Sequence, residues 1–271
     1  MAVSMKISVV TTFHKSGYDQ YGKRMIQSFL ENWPKEVELF VFAEDVEVTE
    51  TAPNLTIFDL HNSCPDLVAF KNKWKDDPRA NGDVSTDPIR SQRTDSGKGF
   101  KWDAVRFSNK VYAIFKCVSI TDADVLFWMD ADMVCHSPIS VSEISSFCPE
   151  NIDIGFLGRE GKYTECGLYS LNLKSKSVKY FLTKFQEVYD NAEDGIFKMD
   201  EWHDSFVFDQ VKKTMSIKEF NWSKGLIRGE GHPLINSQWG AYLDHLKGNR
   251  KIVGKSTQKD LKVTRSEDYW K

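Results

Sequence analysis

Asp130 and Asp132 flank the small Ala131 in the segment MDADMV, directly after an unbroken apolar run, VLFWM, at 125–129. On an extended backbone two carboxylates two positions apart can reach one hard divalent cation, leaving its other positions to phosphate oxygens or water. A cation so held neutralises a diphosphate and makes it a better leaving group. Far downstream stands His245-Leu246-Lys247-Gly248-Asn249-Arg250-Lys251, the pattern HxxGxxK. An imidazole can complete the coordination of a cation that already has carboxylate ligands, and nitrogen among oxygens moves the preference from Mg2+ toward Mn2+. Gly248 lets backbone approach a phosphate, and Lys251 supplies a compact positive charge for it.

The chain holds its own control for the acidic pattern. Asp122-Ala123-Asp124 repeats it, but at the amino end of the apolar run. In open α/β sheets ligands gather outside the carboxyl ends of strands, so this copy reads as a turn and the Asp130/Asp132 copy as a site. A calcium loop of the EF-hand kind does not fit, because with Asp130 as the first position the sixth is Cys135 where Gly is required and the twelfth is Val141 where Glu is required.

The elements that position these residues follow from hydrophobic period. Residues 6–12 are β-branched and apolar and read as a first buried strand, with a polar loop over 13–20. Tyr21, Met25, Phe29 and Trp33 recur at helical spacing before Pro34, and strands follow at 37–43 and 55–60. Strand, helix, strand argues for an α/β fold with a mostly parallel central sheet flanked by helices. Periodicity is lost over 71–101, which carries two Pro and three Gly and reads as a long loop or lid. After Asp103, a plausible N-cap, Ala104, Phe107, Val111, Ile114, Phe115 and Val118 form one helical face, with Arg106 and Lys110 on another. The run at 125–129 lacks alternation, the mark of a central strand covered on both sides. Further strands are expected at 152–157 and 168–173, and helices at 178–189 and 205–211.

Composition limits the alternatives. Eighteen Phe and eight Trp among 271 residues, with 41% hydrophobic content, suffice for a full core. With 36 basic and 39 acidic side chains the net charge is -3, no field for collecting nucleic acid, so any phosphate site must be local. Five Cys without a CxxC pair suggest small core residues, neither a disulfide framework nor a zinc site. The stretch 1–10 lacks the apolar region of a signal peptide and no segment is long enough to span a membrane, so a cytoplasmic protein is expected. The absence of a linker, repeat or low-complexity tract points to a single domain over 1–271, with 241–271 as its tail.

A first strand ending Val10-Thr11-Thr12 with Tyr18 nearby, then MDAD, then HxxGxxK, in this order, resembles glycosyltransferase family 8, which includes glycogenin and the bacterial lipopolysaccharide galactosyltransferases. The resemblance implies a GT-A, Rossmann-like domain that moves a sugar from a nucleotide-sugar, with UDP as nucleotide, to a carbohydrate or other hydroxyl acceptor with retention. It implies Asp130, Asp132 and His245 as ligands of Mn2+ or Mg2+, with the tail closing the site. Gly248 and Lys251 would face the diphosphate, and Thr11, Thr12 and Tyr18 the nucleotide. A basic residue on the helix before the DxD strand contacts the donor in that family; Lys110 is the expected one, with Arg106 one turn earlier as its alternative.

Two further segments correspond more loosely. Glu165-Cys166-Gly167-Leu168 matches a small-residue-plus-Gly turn leading into a strand, which places Gly167 beside the donor. Asp204 to Asp209 stands where the family has DQxxLN, with Ser205 for Gln and Asp209 for Asn, and Ile252-Val253 replaces a Pro-Trp pair; these departures bear on the acceptor. Asp204 is the carboxylate expected near the sugar, clustered with Glu201, Trp202 and His203, although a helix N-cap is an equally good reading of it. Two rivals remain. A sugar-phosphate nucleotidyltransferase calls for a Gly-rich basic loop after the first strand, where 13–20 has one Gly. A non-catalytic glycan-binding module would take free sugar without metal or nucleotide.

Overall fold

A computed structural model describes residues 5–226, 228, 229 and 231–271, so Met1–Ser4 of the amino-terminal stretch lie outside it. Its centre is a seven-stranded sheet in the order β3-β2-β1-β4-β7-β6-β8, formed by β1 (Ile7–His14), β2 (Glu38–Glu44), β3 (Leu55–Asp59), β4 (Val125–Met129), β6 (Ile154–Leu157), β7 (Glu165–Asn172) and β8 (Glu219–Asn221). The pairs β1/β2, β2/β3, β1/β4 and β6/β8 are parallel, and β7 runs antiparallel to both β4 and β6. The α/β, mostly parallel arrangement expected from hydrophobic period is the one found. A second, two-stranded ribbon pairs β5 (Met133–Cys135) with β9 (Leu243–His245).

The sheet is covered on both faces, which is why its middle strands read as unbroken apolar runs. One face packs against α2 (Pro65–Trp74), α3 (Ala104–Ile120), α5 (Lys176–Asp190) and α6 (Asp204–Lys213), through Leu67, Val111, Ile114, Phe181, Phe185 and Phe208. The other packs against α1 (Lys23–Asn32) and α4 (Val141–Phe147), through Met25, Phe29 and Ile144, and against Leu234, Trp239 and Trp270 of the carboxyl-terminal region. All five Cys are buried free thiols, as expected of small core residues. Among the described residues no helix is long and apolar enough to cross a membrane.

Three local expectations are corrected. The segment after β1 is not a loop: Lys15–Gly17 and Tyr18–Gly22 are helical turns that run on into α1. The long loop or lid anticipated over 71–101 starts only after Trp74, where α2 ends, and 75–101 carries only turns and short 3-10 turns, tied to the region around Glu201 by charged side chains. Arg90 donates to the Met199 carbonyl at 2.6 Å, while Arg93 and Lys101 reach Glu201 at 2.9 and 2.8 Å. Finally, Glu165, Cys166 and Gly167 belong to β7 itself and do not form a turn before it.

The chain order matters for the site. From β1 it proceeds outward through β2 and β3, then returns by α3 to place β4 on the opposite side of β1. The carboxyl ends of β1 and β4 therefore bracket the point where strand order reverses, the natural crevice of such a sheet.

Candidate functional site

A cleft of about 870 Å3 opens at that reversal, lined by Thr12 and His14 of β1, by Asp130 and Asp132 just past β4, and by Asp204 at the start of α6. The dipeptide Asp130-Ala131 leaves the sheet with its first amide still bound, Asp130 N donating to the Gly167 carbonyl at 2.8 Å. The next strand, β5, turns back and pairs with β9 in a register that sets Met133 opposite His245. Leu246 N donates to the Asp132 carbonyl at 2.9 Å, so the ribbon fastens the downstream segment to the acidic turn.

The result is a compact donor set. One carboxylate oxygen each from Asp130 and Asp132 and an imidazole nitrogen of His245 all lie within 4.8 Å of one another. His245 is 1% exposed, with Nε2 3.0 Å from Asp132 Oδ1 and 3.7 Å from Asp130 Oδ2. Two hard oxygens and one borderline nitrogen suit Mn2+ or Mg2+. The imidazole is seated in a cradle at Gly167: a Cβ added there would stand 2.4 Å from His245 Cε1. We expect Gly167→Ala to destabilise the protein by about 1–3 kcal/mol through overpacking, read from a urea melt. An unchanged midpoint would show that His245 is not wedged there.

The outer supports are charged and buried. The other imidazole nitrogen, Nδ1, lies 3.9 Å from Glu165 Oε1, and Lys247 ion-pairs with the same carboxylate. Burial pushes the Glu165 carboxyl up, but Lys247, His245 and Arg159 together outweigh it and hold it at about 2. Burial likewise opposes ionisation of Asp132, and the neighbouring His245 and Lys251 overcome it, keeping its carboxyl far below the usual range. Lys251 Nζ sits 2.9 Å from Asp132 Oδ2 and 4.4 Å above the Tyr21 ring, while Gly248 (φ 59) has open space where a Cβ would be.

Lys110 is not on a solvent face. It is 7% exposed, lies 4.5 Å over the Trp128 ring, and its ammonium bridges Asp130 Oδ1 at 3.2 Å, Asp204 Oδ2 at 2.7 Å and the Cys166 carbonyl. Burial alone would lower its pKa, yet the two carboxylates raise it well above the ordinary lysine value. Arg106, one turn earlier, also borders the cleft but is exposed. The N-cap of α6 is His203, whose Nδ1 accepts from Phe206 N, so the Asp204 carboxylate is left for Lys110. Burial works against its charge and Lys110 prevails, holding the Asp204 carboxyl below its ordinary value.

Several expected residues are elsewhere. Thr11 is fully buried on the strand face shared with Val9 and Phe13; Thr12 alone of the pair borders the cleft, its hydroxyl donating to the Phe42 carbonyl at 2.6 Å. Tyr18 is buried against Phe13, its hydroxyl donating to Glu50 at 2.6 Å, and Tyr21 takes the place at the cleft. Trp202 is a core residue stacked by Arg90, and Tyr163, Phe100 and Phe107 are aromatic rings that border that end of the cleft. Asp122 and Asp124 are tied to Lys6 and Lys174 at the far end of β4, as a turn should be. Glu165, Lys247, Tyr21 and the Trp128 indole, which donates to Asp130 Oδ1 at 2.7 Å, went unread in the sequence. Lys247 lies inside HxxGxxK and Glu165 two residues before Gly167, but nothing in the spacing pairs them.

No family profile and no curated protein matches the chain. Among solved structures it is similar to the apo structure of WbbM, a bifunctional glycosyltransferase, at 12% identity and TM-score 0.46 over 82% of this chain and 40% of that one. It is also similar to the apo form of mouse xyloside xylosyltransferase 1, at 12% identity and TM-score 0.44 over 79% and 84%. A third is the glycosyltransferase GlyE of Streptococcus pneumoniae TIGR4, at 7% identity and TM-score 0.43 over 80% and 45%. The chain thus spans less than half of the first and third of these.

Proposed function

We propose that this protein is a metal-dependent glycosyltransferase of the GT-A type, which takes a UDP-sugar and transfers the sugar to a hydroxyl with retention. The observation that carries the reading is the meeting of Asp130 and Asp132 with His245, 113 residues downstream of Asp132, at the mouth of the cleft. A divalent cation held by Asp130, Asp132 and His245 would supply neutralisation of the donor diphosphate and of the charge left on the departing nucleotide. The residues around it divide the remaining work. Lys251 offers a point charge at the diphosphate position, and Gly248 lets the chain approach it closely. Thr12, Tyr21 and Asn109 border the end nearest β1 and β2, the place for the nucleoside.

Asp204 stays ionised beside Lys110, so it is suited to stabilise positive charge developing on the sugar and not to deliver a proton. Retention by front-face attack requires no proton from a protein acid, and Asp204 and Glu165, both held ionised, are not suited to supply one. The nucleotidyltransferase alternative loses its loop, because β1 passes directly into helical turns.

The test is calorimetric titration with Mn2+ and a panel of nucleotide-sugars. Donor binding is expected only with the cation present, and Asp122→Asn, at the wrong end of β4, is expected to bind it as the wild type does. Tight binding of donor without metal would sink the reading.

A further inference from the structure

Side chains alternate along β9, so Leu243 and His245 lie on one face of the ribbon and Asp244 on the other. The Asp244 carboxylate is fully buried there and takes three neutral donors from the 256–269 segment. Ser256 Oγ donates to Oδ1 at 2.6 Å, while Ser256 N and the Tyr269 hydroxyl donate to Oδ2 at 2.7 and 2.9 Å.

Tyr269 joins the two strands of the ribbon. Its ring stacks on His136, the residue after β5, with centroids 4.0 Å apart, and its hydroxyl holds Asp244 on β9. Trp270 next to it is buried, its indole donating to the Gly240 carbonyl at 2.8 Å, which fixes the segment against the 238–241 turn. The backbone of His245 is held as well: His232 Nε2 donates to the His245 carbonyl at 3.1 Å and lies 3.3 Å from Ser256 Oγ.

These contacts act where the spacing of the metal ligands is decided. Asp132 precedes β5 and His245 ends β9, so their separation depends on how two strands of three residues pair. An isolated two-stranded ribbon is marginal in water, and this one needs support from outside. A buried carboxylate is costly unless its oxygens are hydrogen-bonded, so Asp244 binds the ribbon firmly to Ser256 and Tyr269.

We propose that Asp244 is a positioning residue for the cation site: with Ser256 and Tyr269 it fixes β9 against β5 and so keeps the His245 imidazole within reach of the Asp130 and Asp132 carboxylates. This assignment rests on the cation site of the transferase reading above.

Calorimetric titration of the full chain with Mn2+, in a double-mutant cycle of Asp244→Ala and His245→Ala, tests it. Groups that orient a metal ligand contribute about tenfold to metal affinity, so Asp244→Ala should bind Mn2+ up to about tenfold more weakly than the wild type. In the His245→Ala background the same substitution should cost less than about twofold, because the imidazole through which it acts is gone. Asp244→Asn should restore most of the affinity, since its amide oxygen can accept from Ser256 N and the Tyr269 hydroxyl while its nitrogen donates to Ser256 Oγ. Tyr269→Phe keeps the ring on His136 and removes only the hydroxyl; it should show a smaller loss of the same sign, which keeps the test intact if Asp244→Ala does not fold. Unchanged Mn2+ affinity in folded Asp244→Ala, or in Tyr269→Phe should Asp244→Ala not fold, overturns the positioning role, as does an equal loss in both backgrounds of the cycle. Failure of the wild-type protein to bind Mn2+ overturns the transferase reading instead.

Discussion

Asp132→Ala lowers the affinity for Mn2+ by roughly two orders of magnitude or more, since affinity for hard cations depends on the number of charged oxygen ligands. His245→Ala is expected to cost less, roughly tenfold, because a neutral imidazole contributes no charge and water can take its position. The two variants separate a ligand from a structural role by the way each melts. A cation that binds only the folded chain raises its melting temperature with concentration, so the wild type should show a Mn2+-dependent rise. In Asp132→Ala that rise should disappear while the metal-free melt stays cooperative. The metal-free melt will itself fall somewhat, because Asp132 accepts from His245 Nε2 at 3.0 Å and pairs with Lys251 at 2.9 Å. Lys251 is partly exposed and regains water, so the fold survives the loss. Mn2+ stabilisation that persists undiminished in Asp132→Ala would remove this aspartate from the site.

How far the site could be read from sequence depends on which contacts are local. The strand-end position of Asp130 and Asp132 was legible because an unbroken apolar run has one physical meaning, burial on both sides, and its carboxyl end is where a sheet opens. Helical period alone did not favour Lys110, the expected residue, over its alternative Arg106, since both follow it; the structure shows that Lys110 meets two carboxylates and Arg106 solvent. Thr11 and Thr12 differ for the opposite reason. Neighbours on a strand point to opposite faces, and which face borders a crevice is decided by the covering helices. Tyr18 and Tyr21 exchanged roles because the helical turns after β1 were read as loop. Glu165, Lys247 and Arg159 escaped notice because their partners come from separate segments, and charge pairs across such distances leave no spacing to detect.

Lys110→Met should destabilise the protein by about 3–5 kcal/mol at neutral pH, the usual cost of removing one partner of a buried ion pair. Methionine matches the length of the side chain and can lie against Trp128, so the loss reports charge more than volume. The pH dependence identifies its origin. In the wild type, Asp204 is held below its ordinary value, so its contribution is complete above about pH 5 and fades as acid protonates it through the folded-state value. Without the ammonium, burial, the largest influence on Asp204, is opposed by only the weaker influences of His203 and Lys247, and raises the carboxyl above the unfolded value of about 3.9. Folding then binds a proton, and the penalty for keeping a bare buried carboxylate is present at neutral pH and relieved as pH falls. The stability gap between wild type and Lys110→Met should accordingly be widest near neutrality and narrow toward pH about 4, as urea melts at the two pH values would reveal. Lys110 itself titrates far above this window, so it does not contribute to the slope. A gap of the same size at both pH values would mean that the ammonium is not what keeps Asp204 charged, and the role given to that carboxylate in transfer would fall with it.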